Sequence, residues 1–154
     1  MNYTIEQVDI QDEAVDAALR ELFKAAFSSE KLLAPGYLAA NTQSDASAPG
    51  FFLVAKEEGK IIGSTCFLAN DFQLNEKQYV GYQCCWSATH PDHQRRGLLT
   101  DIINQAKEIL KNKGAGFLYG IPNDNSLPVY TKKLNFTFCF TLPIYWDWLA
   151  YQKA

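Results

Sequence analysis

Positive charge is in short supply: 14 Lys and Arg stand against 17 Asp and Glu over 154 residues, a formal net charge of −3 and a pI near 5.3. That balance excludes a surface built to neutralise many phosphates, so nucleic acid is not the expected ligand. Long apolar runs are also missing, since none approaches the roughly 20 residues that cross a bilayer. Nor does the stretch Met1-Asn2-Tyr3-Thr4-Ile5-Glu6 show a basic region leading into an apolar one. The expectation is a cytoplasmic protein with no membrane partner. Cysteine is sparse and unpatterned: Cys66, Cys84, Cys85 and Cys139 include no C-x-x-C pair and sit in apolar, strand-like runs. They read as buried reduced thiols rather than a zinc or redox site. Neither G-x-x-x-x-G-K-[ST] nor G-x-G-x-x-G occurs, which excludes the two commonest nucleotide fingerprints.

What is present is a chain that is 47% hydrophobic and 20% charged. A chain of this length buries roughly 70% of its unfolded surface without staples, so residues 1–154 are read as one domain. Residues 3–8 alternate like a strand. Asp9 then opens a helical pattern capped by Asp9 or Asp12, with Val15, Ala18, Leu19, Leu22, Phe23 and Ala26 on one face. A short helix is expected over 36–40 and a mobile polar loop over 42–50. Residues 51–56 and 61–68 form a hairpin through Glu57-Glu58-Gly59-Lys60, and residues 78–89 supply a third strand after a polar turn at 74–77.

The clearest helix spans 97–113, where Leu99, Ile102, Ile103, Ala106, Ile109 and Leu110 make an apolar stripe and Gly114 ends it. A strand over 115–121 follows, then a helix over 123–134 that tolerates Pro128 only in a first turn capped by Asn123 or Asn125. Residues 136–140 and 144–151 read as closing strands. Strand, helix, strand over 78–121 implies a parallel pair with a crossover, within a sheet that is otherwise antiparallel. The fold class is therefore α/β, with a mixed, mostly antiparallel sheet and helices on both faces.

The chemistry concentrates in Thr89-His90-Pro91-Asp92-His93-Gln94-Arg95-Arg96-Gly97-Leu98-Leu99-Thr100, where a strand runs through a basic turn into the strongest helix. Unpaired N–H groups of a first helical turn, the positive end of its dipole and adjacent arginines suit a phosphate or pyrophosphate. Gly97 admits close backbone approach. His90 and His93 make an H-x-x-H spacing but have no carboxylate ligand in the pattern, so they read as solvated turn residues and no metal is expected. Cys84 and Cys85 face opposite sides of a regular strand, and neither has a visible basic neighbour to make it a nucleophile.

Gln94-Arg95-Arg96-Gly97-Leu98-Leu99 resembles the [QR]-x-x-G-x-[GA] signature of the GNAT superfamily of acetyl-CoA-dependent N-acyltransferases, with Leu99 in place of the final Gly or Ala. Asn123, Ser126, Val129 and Tyr130 are similar, in register, to that family's N-x-x-[AS]-x-x-[LV]-Y segment. Residues 54–63 resemble its second and third strands, so the likeness covers about two thirds of the chain. In Leu134-Asn135-Phe136, Asn135 stands where the family usually has Gly and lies one residue farther from Tyr130. A helix bulge or shifted C-cap follows from that spacing.

The resemblance implies acetyl-CoA as cosubstrate, with its pantetheine arm between two splayed strands beside Ser87, Ala88 and Thr89. It implies that Gln94, Arg95, Arg96, Gly97, Leu98, Leu99 and Thr100 hold the pyrophosphate, and that Asn123 and Ser126 lie along the arm. Tyr130 becomes the candidate general acid toward the departing thiolate. No general base is assigned, because residues 78–89 contain no carboxylate. The implied reaction is acetyl transfer to a primary amine of a small molecule by direct attack in a ternary complex. Another acyl-CoA, a hydroxyl acceptor or a catalytically weak CoA-binding module are the rival readings. The aromatic run 136–148, with Phe51, Phe52, Tyr37 and Asp147, is available as core, as a homodimer seam or as acceptor wall.

Overall fold

A computed structural model describes residues 2–27, 34–43 and 45–141. Strand β1 (Thr4–Val8) leads to helix α1 (Glu13–Phe27), whose start is fixed by Asp12 Oδ1 accepting from the Ala14 amide at 2.8 Å. Asp9 closes its own turn one step earlier, accepting from the Gln11 amide. Both aspartates thus stop the strand and start the helix. Helix α2 (Tyr37–Asn41) follows. Within the segment expected to be mobile, Thr42 donates to the Leu38 carbonyl, and the Ser47 amide and hydroxyl both bond to Asp71.

Strands β2 (Phe51–Glu57), β3 (Lys60–Leu74) and β4 (Lys77–Thr89) form successive antiparallel pairs. Their turns place positive φ at Glu58 and Gly59, and at Asn75 and Glu76, the geometry that two-residue hairpins require. The β3–β4 hairpin is longer than its apolar pattern suggests because its outer part is solvent-facing and gains nothing from alternation. Helix α3 (Leu98–Asn112) crosses to β5 (Phe117–Gly120), which pairs parallel with β4. The sheet order is β1-β2-β3-β4-β5, mixed as the connectivity implied.

Period-two alternation divides β2 between two cores. Leu53 and Ala55 point to the side of α3, with Phe67, Tyr82, Cys84, Leu98, Ile102 and Tyr130. Phe52 and Val54 point to α1 and α2, with Leu19, Phe23, Leu38, Cys66 and Ala88. Helices therefore cover both faces. On α3 the buried residues are Leu98, Ile102, Ile103, Ala106 and Leu110; each large aliphatic side chain so buried contributes roughly 1.5–3 kcal/mol. Gly114, at φ 71°, ends that helix and lets the Ala115 amide reach back to the Leu110 carbonyl.

Two expectations change near the end of the chain. Residues 123–134 are not one α-helix: a turn at Asn123 is followed by a π-helix at Val129–Lys133, with the Leu134 amide bonding to the Val129 carbonyl five residues back. The extra residue before Asn135, at φ 55°, is absorbed there. Residues 136–140 form no strand, because the Phe136 amide bonds to the Tyr130 carbonyl and its ring packs on Tyr130, while Phe138 and Phe140 are exposed. The strand expected at 144–151, with Asp147, lies outside the described residues.

Candidate active site

The sheet opens between β4 and β5. Their ladder runs from Gly81 opposite Phe117 to Cys84 opposite Gly120 and stops. Beyond it, Ser87, Ala88 and Thr89 have no β5 partner among the described residues, while Ala88 and Thr89 stay paired to Ser64 and Gly63 of β3. What bends β4 away is a bulge. Cys66 pairs with Cys85 and Ser64 with Ala88, so Thr65 alone faces Trp86 and Ser87. Trp86 takes φ 50° to accommodate the extra residue. Thr65 Oγ1 lies 3.1 Å from Ser87 Oγ and donates to the Ser64 carbonyl, tying the bulge to β3. No sequence signal announced this bulge.

Tyr130 fills the throat of that opening. Its ring packs over Gly120, where a β-carbon would stand 2.8 Å from Cε1. Gly120 was legible as a strand glycine, which signals close approach, but its partner was not. The Tyr130 hydroxyl faces the Cys84 thiol and the Ser87 hydroxyl. Burial first, and then Cys84, push the phenol well above the usual tyrosine range, so it is a neutral proton donor at physiological pH. Cys84 is itself pushed up to about 12 by burial, and Cys85 turns to the other face. There Cys66 stays protonated, its thiol pushed up by Cys85 and by burial. Burial likewise disfavours a thiolate at Cys84.

Beyond Thr89 the chain makes a short 3₁₀ turn at Pro91–His93 and enters the basic segment. Here φ is positive at Arg95 (62°) and at Gly97 (86°) but not at Arg96 between them. Backbone that alternates in this way is the kind in which successive N–H groups can converge on one side. A β-carbon on Gly97 would meet no protein atom within 4 Å, so the space over it is open. Gln94 and Arg95 are exposed, Leu98 is buried under the turn, and Leu99 and Thr100 are half-buried in the first turn of α3. Leu99, which replaces a small residue of the signature, packs against the core. Arg96 is engaged: its guanidinium forks on Glu57.

Asn123 and Ser126 stand beyond the C-terminal end of β5. Asn123 Oδ1 accepts from both the amide and the hydroxyl of Ser126, at 3.0 and 2.9 Å, which makes it the cap of the turn before Tyr130. Pro128 falls in that first turn, where its missing N–H costs nothing. On the opposite face Trp86 packs edge-on against Phe23 and Tyr37 at 6.2 and 6.0 Å. Tyr37 was among the expected aromatic candidates, whereas Trp86 was missed. Phe51 and Phe52 are core residues, 6% and 2% exposed. The two histidines sit in the turn, His90 accepting from the Asp92 amide and His93 against Arg96.

No helix among the described residues is long and apolar enough to cross a membrane. No curated protein sequence matches the chain. Among solved structures it is similar to the aminoglycoside acetyltransferase meta-AAC0020 from an uncultured soil metagenomic sample, in complex with trehalose. The identity is 18%, the coverage 96% of this chain and 97% of that one, and the TM-score 0.74. It is similar to AAC(6')-Iy in complex with the bisubstrate analog CoA-S-monomethyl-acetylneamine, at 16% identity, 96% and 99% coverage and TM-score 0.73. A protein described as a predicted acetyltransferase with acetyl-CoA, from Clostridium acetobutylicum, shares 18% identity over 93% and 95% of the chains at TM-score 0.67. These likenesses show the fold. The profile of the Acetyltransferase (GNAT) family matches residues 16–136, more than half of the sequence. The chain belongs to the GNAT family of acetyltransferases.

Proposed function

We propose that this acetyltransferase moves an acetyl group from acetyl-CoA to a primary amine of a small molecule, by direct attack within a ternary complex. The observation that carries the reading is the parting of β4 from β5 with a neutral phenol at its throat. The residues present fit the cosubstrate: an open concavity over Gly97 for the pyrophosphate, and a strand edge at Ser87, Ala88 and Thr89 for an extended amide-bearing arm. Acetyl-CoA supplies an activated acyl carbonyl on a sulfur leaving group.

The chain's part is binding, polarisation and one proton. Backbone N–H groups of the turn from Gln94 through Arg95, Arg96, Gly97, Leu98 and Leu99 to Thr100 hold the pyrophosphate. The free edge of β4 pairs with the pantetheine amides as a strand would, and an N–H there polarises the thioester oxygen. Asn123 and Ser126 border the arm before it reaches Tyr130. Tyr130 Oη gives its proton to the departing sulfur, a contribution on the order of 10²-fold, while the attacking nitrogen sheds its proton to solvent, from which the phenol is restored. The Trp86 and Tyr37 rings form an apolar wall on the α1 and α2 face of the opening, suited to an amine carried on a hydrophobic or saccharide body. The aminoglycoside acetyltransferases among the structural neighbours make amino sugars the first compounds to try.

Calorimetry with acetyl-CoA and CoA, followed by a thiol-release assay over a panel of amines, tests the proposal. Saturable binding and thiol release that depends on an amine support it. Binding without release against any amine leaves a CoA-binding module, and absence of binding removes the reading.

A further inference from the structure

The two arginines of the phosphate turn stand in different settings. Arg95 is exposed and its side chain makes no hydrogen bond or ion pair among the described residues. Arg96 is exposed too, but its guanidinium is paired. Its Nη2 lies 2.6 Å from Glu57 Oε1 and its Nη1 lies 3.0 Å from Oε2. Nη1 also lies 2.6 Å from His93 Nδ1, and that ring nitrogen lies 3.3 Å from Glu57 Oε2. The guanidinium lies 5.7 Å from the centroid of the Tyr3 ring, and Tyr3 Oη donates to Asp101 Oδ2 at 2.6 Å in the first turn of α3. One path of contacts therefore joins the end of β2, the turn, the residue before β1 and the start of the helix.

We infer that Arg96 serves the phosphate turn through Glu57 rather than by touching the cosubstrate, and that Glu57 is a positioning residue for cosubstrate binding. The inference rests on the acetyl-CoA reading above and divides the labour within it. Three features of the geometry carry it. Turning Arg96 toward a phosphate would leave the Glu57 carboxylate, 18% exposed, without its bidentate partner. That carboxylate would then face the approaching anion with only the His93 ring, 3.3 Å away, beside it. Finally, Arg96 is the residue between the two left-handed positions, so the fork holds the middle of the concavity whose flanks are Arg95 and Gly97. The direct phosphate contact falls to the backbone amides and to Arg95.

The test uses the full chain and the variants Glu57→Ala, Arg96→Ala, Arg96→Lys and the double variant of the two alanines. CoA is titrated by calorimetry, and rates are measured with acetyl-CoA and with S-acetylpantetheine, which carries the thioester arm without phosphate. Glu57→Ala and Arg96→Lys are expected to weaken CoA binding about tenfold and to raise the acetyl-CoA KM equally, because a charge-assisted fork is lost. In Glu57→Ala the kcat and the S-acetylpantetheine kcat/KM stay at the wild-type level, which damage to the fold would not permit. Arg96→Ala is worse than either, and adding Glu57→Ala to it restores part of the affinity by removing the stranded carboxylate.

Tighter or unchanged CoA binding in Glu57→Ala overturns the inference, since it means that Glu57 competes with the cosubstrate for Arg96 or plays no part. Equal loss with acetyl-CoA and S-acetylpantetheine also overturns it. Should Glu57→Ala not fold, Glu57→Gln removes the charge and keeps the shape. A wild-type chain that binds no CoA is a different result, which ends the acetyl-CoA reading itself.

Discussion

A side chain at Gly120 and the ring of Tyr130 exclude one another: a β-carbon at residue 120 would lie 2.8 Å from Tyr130 Cε1 and 3.3 Å from Cζ. The missing side chain is what lets a phenol enter between two strands at the point where they part. Gly120→Ala is expected to destabilise the fold by about 1–3 kcal/mol, because the ring is buried and packed against Phe136. In thermal melting and steady-state rates together, the loss falls more on kcat than on CoA affinity. A variant with wild-type kcat would show that Tyr130 need not occupy the throat.

Tyr130→Phe keeps the ring and removes the proton. A fall in kcat on the order of 10²-fold is expected, with the acetyl-CoA KM nearly unchanged. Burial holds the phenol above its ordinary value of 10.0, so it stays protonated through neutral and mildly alkaline pH. The kcat profile of the wild type should therefore show no fall below about pH 10 that Tyr130→Phe abolishes. An unchanged kcat in the variant removes the acid role.

Tyr3 gives a stability test. Burial first, then its hydrogen bond to Asp101, raises its pKa to about 12 from 10.0. A raised folded value means stability that is complete below pH 10 and is lost as pH rises from 10 toward 12. Urea unfolding of wild type and Tyr3→Phe should then show their difference shrinking across that interval. A difference constant from about pH 9 to 11.5 would mean that the Tyr3 hydroxyl contributes nothing pH-dependent.

Gly97 is constrained by conformation rather than by space. At φ 86° an L side chain is strained, yet a β-carbon there meets no protein atom within 4 Å. Gly97→Ala should cost about 1–2 kcal/mol in stability from the backbone alone. Gly97→Trp should abolish CoA binding in calorimetry while the chain still melts cooperatively. Retained affinity in Gly97→Trp would move the pyrophosphate elsewhere.

Much of this molecule was legible because local chemistry and tertiary demand agree. The α3 stripe, Gly114 after it, and the Glu58-Gly59 turn each follow from periodicity or from backbone freedom, and each stands where the pattern put it. Asp12 caps α1 for the same reason. The irregularity before Asn135 was readable as a spacing anomaly, although its resolution as a π-helix was not. Residues 136–140 misled because alternating aromatics look like a strand wherever they occur, and a strand needs a partner that no local pattern supplies.

The site divides along the same line. The amino-acid sequence by itself determined where the candidate groups lie along the chain: a glycine between a basic turn and a helix, a tyrosine after a capped turn, a β4 strand with no carboxylate. Those depend on residue type and short spacing, which the chain carries locally. Only the tertiary structure decided how they act together. The bulge at Trp86 and Ser87 opens the sheet because two residues must face Thr65 alone. Tyr130 becomes a neutral donor because packing removes it from water, and Arg96 is spoken for because Glu57, 39 residues away, folds back beside it. Such contacts close long loops of chain, and their energies exist only once the chain has folded.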